Sequence, residues 1–143
     1  MELFTILYQA HSGLRWVVLL LVVLTLVIGL VAWMKGGTSG KLGRIIPKAT
    51  VGMLDLMFLI GATMLATVWI NLGEPGMFRI EHAVINLVAI GVAHVGAKNA
   101  PPVDGSRGKK LFLFFLVAVG LIVAAILRLP QGFGMTPADA IGF

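Results

Sequence analysis

Four long apolar runs decide what this chain can fold into. The first extends from about Gly13 to Met34, the second from Ala49 to Leu72, the third from Phe78 to Ala97 and the fourth from Leu111 to Leu129. At 1.5 Å of rise per residue, each can cross about 30 Å of hydrocarbon. Lipid cannot satisfy an open sheet edge, so each run is expected to be a helix. The punctuation agrees. Gly36-Gly37 follows the first run and Pro47 precedes the second. Gly73-Glu74-Pro75-Gly76 separates the second from the third, Pro101-Pro102 follows the third, and Pro130 follows the fourth.

Composition points the same way. Of 143 residues, 59% are hydrophobic and only 12% charged. Soluble domains carry about 25% charged residues. So much apolar surface cannot be hidden in one small core, which excludes a soluble enzyme. The absence of cysteine excludes disulfides, iron–sulfur clusters and thiolate metal sites. The first residues, Met1-Glu2-Leu3-Phe4-Thr5, lack the positive region of a cleaved signal, so the first run is read as retained.

The net charge of +5 is a topology signal rather than a nucleic-acid one. Lys35, Lys41, Arg44 and Lys48 follow the first run, and Lys98, Arg107, Lys109 and Lys110 follow the third. The other side holds Arg15, Arg79 and Arg128, offset by Glu2, Glu74, Glu81 and Asp139. Basic loops stay in the cytoplasm, which places both termini on the non-cytoplasmic side. Trp16 and Trp33 are roughly 26 Å apart along a helix, one at each interface. The expectation is all-α: one integral membrane four-helix bundle over residues 1–143. The segment 130–143 is too short to cross. Thr136-Pro137-Ala138-Asp139 reads as a capped single turn there. Phe133, Met135, Ile141 and Phe143 suit the outer interface or another protein.

Helical periodicity assigns faces. His11, Arg15, Val18, Val22, Thr25 and Gly29 share one stripe of the first helix; His82, Asn86, Ala89, Ala93 and Ala97 share one of the third. Asp55, Ala62, Ala66 and Trp69 line up on the second, Gly120 and Ala124 on the fourth. Small residues let helix backbones approach, so all four stripes are expected to face the bundle interior.

Five polar groups are costly in a bilayer and ask for a partner, a cavity or a ligand. One reading places b-type haem between His11 and His82, with Arg15 and Arg79 neutralising its propionates. Depth argues against it. His82 lies closer to Lys98 than His11 does to Lys35, which implies a height difference of roughly 12 Å if both lysines mark one plane. The competing reading is structural: His82 and Glu81 pair with Arg15, fastening helix one to helix three. Asp55 and His94 form an intramembrane polar pair, either a structural bond between helices two and three or a protonatable pair on a proton or quinone path. Met53, Met57 and Met64 lie near one face of helix two and read as packing, with copper a minor alternative. No phosphate loop, catalytic triad order or zinc motif is present, so no catalytic group or metal site is expected.

The strings His11-Ser12-Gly13-Leu14-Arg15-Trp16, Leu59-Ile60-Gly61, Arg79-Ile80-Glu81-His82 and Ala93-His94 together resemble a family of small bacterial four-helix membrane proteins of the "cytochrome b"-like type, whose function is largely unassigned. The resemblance covers residues 5 to about 127. It implies haem b, with His11, His82 and His94 matching the family's histidines. The family often has His where this chain has Asp55, so the resemblance implies an outer haem site only. Two functions follow as expectations. The favoured one is an accessory subunit of a larger electron-transfer or energy-converting membrane complex, with other membrane subunits as partners. The alternative is a small haem-b electron carrier.

Overall fold

The computed structural model describes residues 2–38, 40–73, 76–100 and 103–129. They form four helices, α1 (Glu2–Lys35), α2 (Lys41–Leu72), α3 (Met77–Ala97) and α4 (Gly105–Leu127). Each is long and apolar enough to cross a membrane. Two short strands join the connecting loops. In them β1 (Gly37–Thr38) pairs antiparallel with β2 (Val103–Asp104). This pairing puts the α1–α2 and α3–α4 connections, which carry most of the lysines, at one end of the bundle. That end is called the basic end below. The strand pair had no signal in the periodicity, because two residues are too few to alternate.

Three helices outrun their apolar segments. α1 begins at Glu2 instead of Gly13, because no glycine or proline interrupts Leu3 to Ser12 and Phe4 finds a buried site with Val68 and Tyr8. α4 begins at Gly105, ahead of its apolar run. α2 begins at Lys41, so Pro47 lies inside the helix rather than before it. An interior proline removes one backbone bond. Membrane helices tolerate this where neighbours re-satisfy the backbone. Just past Pro47, the Thr25 and Thr50 hydroxyls lie 2.8 Å apart, fully buried between α1 and α2. One donates to the other, and the carbonyls of Leu21 and Ile46 accept at 2.9 and 2.8 Å in the alternative arrangements.

α1 packs on α2 and α4, and α3 packs on α4 and less extensively on α2. α1 and α3 therefore lie on one diagonal. The core stripe of α1 is the expected one, with Val18, Val22, Thr25 and Gly29 buried. So is that of α3, where Ala89 and Ala93 are buried. The other two stripes are corrected. Ala66, Trp69, Gly120 and Ala124 all face outward. The buried positions are instead Val51, Leu54 and Val68 on α2, and Leu111, Phe115, Ala118, Ile122, Ala125 and Ile126 on α4. Bulky side chains fill the wider gaps on these helices, and lipid accepts small and large residues alike.

Small residues do matter at the basic end. A Cβ on Gly29 would lie 2.7 Å from the Phe112 backbone nitrogen, and one on Gly108 would lie 2.6 Å from that of Trp33. On Gly96 it would lie 2.8 Å from the Phe114 Cβ. These contacts bring α4 against α1 and α3 almost backbone to backbone. At the opposite end, α2 stops at Gly73, whose φ of 83° favours glycine and whose N–H donates to the Trp69 carbonyl at 3.2 Å.

Candidate functional site

Away from the basic end the helices part. They enclose a cavity of about 180 Å³, bounded by the start of α1, the second half of α2, the first half of α3 and the end of α4. Its walls are mostly apolar, including Phe4, Leu54, Phe58, Val68, Ile90 and Ile122. Polar groups are few, and His11, Arg15, Arg79 and His82 are all among them. The four residues singled out by type and spacing thus meet in one place.

The His82 ring is held firmly. Its Nδ1–H donates to the Ala125 carbonyl on α4 at 2.7 Å. That bond fixes the neutral tautomer and leaves Nε2 as the acceptor. Asn86, one turn along, lies 3.2 Å from Nε2 through its amide nitrogen. The same amide donates to the His82 carbonyl at 2.9 Å, so it has an alternative partner. A histidine that gives one N–H to a carbonyl has its ring orientation fixed and its other nitrogen basic, as an oriented ligand does.

His11 lines the same cavity from α1. Its ring faces the Met57 carbonyl on α2 and interacts electrostatically with His82. Its Nδ1 is buried without a hydrogen bond. Gly61 makes room for it, since a Cβ there would lie 3.1 Å from His11 Cε1. The arginines lie at the flanks, with the Arg15 guanidinium 5.1 Å from the Trp16 ring centroid and that of Arg79 4.8 Å from Phe78.

The expected difference in depth was overstated because the two lysines do not mark one plane. Gly96 packs on Phe114 and Phe115, whereas Gly29 packs on Phe112. Counting rise from those contacts, α3 ends roughly 10 Å short of α1 at the basic end. Most of the offset between His11 and His82 disappears. The alternative pairing is also corrected. Glu81 forms an ion pair with Arg128 instead of Arg15, which raises the pKa of the Arg128 guanidinium further. His82 is bonded to α4. These two contacts fasten helix three to the end of helix four, its neighbour.

Asp55 and His94 do meet. His94 Nε2 lies 2.9 and 3.1 Å from the two carboxylate oxygens, joining α2 to α3. Both side chains are 47% exposed, so the pair lies on the bundle surface, not in its interior. Met57 and Met64 line the cavity wall, and Met53 packs against the core. Among the described residues, no three His, Asp or Glu side chains cluster to hold a metal ion. The proposed contacts of Phe133, Met135, Ile141 and Phe143, and the turn at Thr136-Pro137-Ala138-Asp139, lie outside the described residues.

Sequence reasoning missed two participants. The Ala125 carbonyl has no side-chain signature at all. Gly61 was visible only as part of a short string, and its role needs the neighbouring helix. Chemically, the cavity offers two imidazole nitrogens, apolar walls and two guanidinium groups. That set suits a flat apolar ligand bearing a metal and acidic substituents. No protein family, curated protein or solved structure matches the chain.

Proposed function

We propose that this chain is a small haem-b-binding electron-transfer protein of a bacterial cytoplasmic membrane, with its basic loops on the cytoplasmic side. The observation that carries the reading is the pair of histidines. Both line one apolar cavity, His82 gives its Nδ1–H to Ala125 and keeps Nε2 as an acceptor beside the Asn86 amide, and His11 Nδ1 is buried without a hydrogen bond. His11 and His82 would hold the iron, and Arg15 and Arg79 would neutralise the propionates. Haem, when bound, supplies one-electron chemistry. The chain supplies the rest. The Ala125 carbonyl sets the orientation and basicity of His82. With Nε2 given to iron, the Asn86 amide would keep its bond to the His82 carbonyl. The apolar walls exclude water from the site, a main lever on its potential.

The test is a reduced-minus-oxidised spectrum of protein purified after haem-replete expression. A b-type α-band is expected, and His11→Ala or His82→Ala should abolish it. A folded protein that takes up no haem would overturn the assignment.

A second reading is an accessory subunit of a larger electron-transfer or energy-converting complex. It is favoured by the apolar Phe133, Met135, Ile141 and Phe143 beyond the last described helix. Under that reading, native purification brings the chain out with larger subunits, and deleting residues 133–143 weakens the association.

A further inference from the structure

The polar pair on the bundle surface stands apart from the cavity and has its own physical problem. Asp55 and His94 are each about half exposed, and they sit within two helices that can span a membrane. Hydrocarbon offers a carboxylate and an imidazole no hydrogen bonds, so polar groups facing it are costly. Their mutual bond uses Nε2 of His94. That leaves Nδ1 of the ring for a second bond, and a carboxylate accepts several bonds at once.

We propose that this face of α2 and α3 is a homodimer interface, in which two copies close a ring of two Asp55 carboxylates and two His94 imidazoles. Any protein covering the pair must bring polar groups to the same depth. A second copy does so automatically. Threaded the same way and related by a two-fold axis along the membrane normal, it presents an identical pair at an identical depth. The surface is complementary to itself in charge, since each copy offers one donor residue and one acceptor residue. Access is also open. Gly52 lies one turn from Asp55 and Gly91 one turn from His94, and a Cβ on either would meet nothing within 4 Å. Leu59 and Leu87, both exposed, flank the pair with apolar surface.

The absence of cysteine makes the test clean. Gly52→Cys and Gly91→Cys each introduce a single thiol on the proposed face. Val117→Cys introduces one on an exposed position of α4. In bilayers, the first two should cross-link into covalent dimers with a short bis-maleimide, and Val117→Cys should not. Adding Asp55→Leu to Gly91→Cys should weaken dimerisation about tenfold, because two interhelical bonds are lost together. Asp55→Asn keeps one acceptor and should lose less. Helical circular dichroism confirms that each variant is folded. A monomeric mass in nanodiscs, equal cross-linking on both faces, or a dimer indifferent to Asp55→Leu would overturn the proposal. So would a monomer whose α2–α3 face holds a lipid-soluble small molecule or a different subunit.

Discussion

The two halves of this bundle solve opposite problems with the same four helices. At the basic end α4 lies almost backbone to backbone on its neighbours, through Gly29, Gly96 and Gly108. The fully buried polar groups there are the Thr25 and Thr50 hydroxyls, paired within the core. At the other end the helices enclose space, and the polar groups are imidazoles and guanidiniums around a cavity. A bundle of four helices with short loops can keep one half open only if the other half fixes their spacing. The contrast teaches that glycine in a membrane helix is informative only with its neighbour. The same residue type makes a clamp at Gly108, a berth for an imidazole at Gly61, and plain surface at Gly120.

The largest expected effect breaks the clamp. Gly29→Ala or Gly108→Ala forces a methyl against backbone atoms, which cannot swing aside as a flexible side chain can. Each should cost about 2–3 kcal/mol in unfolding from detergent or bilayer. Gly120→Ala should be neutral or slightly stabilising, since nothing lies within 4 Å of its added methyl. If all three behaved alike, the division into a clamped and an open half would fail.

That glycine contrast also marks how far the sequence could be read. Four membrane-length helices were legible because apolar run length is a strong signal and lipid forbids most alternatives. The orientation of α1 and α3 was legible too, because their polar residues and small residues fall on one stripe. α2 and α4 were not, because apolar side chains face both core and lipid and carry no contrast. Asp55 and His94 were correctly paired, but their exposure depends on how α2 rotates, and the stripe through Asp55 and Trp69 pointed that rotation the wrong way. His11 and His82 were picked out by residue type, but their common height needed the shorter reach of α3 at the basic end. The Glu81 to Arg128 pair could have been found by weighing chain neighbours α3 and α4 against the diagonal.

A smaller effect is expected at the hydroxyl pair below Pro47. Thr25→Val and Thr50→Val should each cost about 1 kcal/mol, the typical worth of an interhelical bond in a membrane. The double variant should cost less than the sum, because both singles remove the same bond. Additive losses in a double-mutant cycle would mean that the two hydroxyls act through their own helix carbonyls only.

Stability should respond less still in the open half, while binding responds more. Ala83→Phe places a ring into the cavity beside His82. Because it fills space instead of displacing backbone, stability should change by less than about 1 kcal/mol. Haem uptake should fall sharply, as read from the absorbance of protein loaded to saturation. A large loss of stability with normal uptake would mean that the cavity closes in the membrane and that the site lies elsewhere.

The smallest change separates geometry from stability most cleanly. Gly61→Ala adds one methyl 3.1 Å from His11 Cε1 and 3.5 Å from its Nδ1. The ring must give way by a few tenths of an ångström. An alanine stabilises a helix interior over glycine by roughly 0.5–1 kcal/mol, which offsets the crowding. Net stability should therefore hardly move. If His11 holds iron as proposed, the ligand field would move, because the angle of a ligating imidazole is set by what it leans on. A shift in the α-band position or a several-fold drop in haem affinity, at unchanged melting temperature, is the expected signature. If the spectrum and affinity match the parent protein, His11 is not a ligand, and the half-open end of the bundle holds its cofactor through His82 alone or not at all.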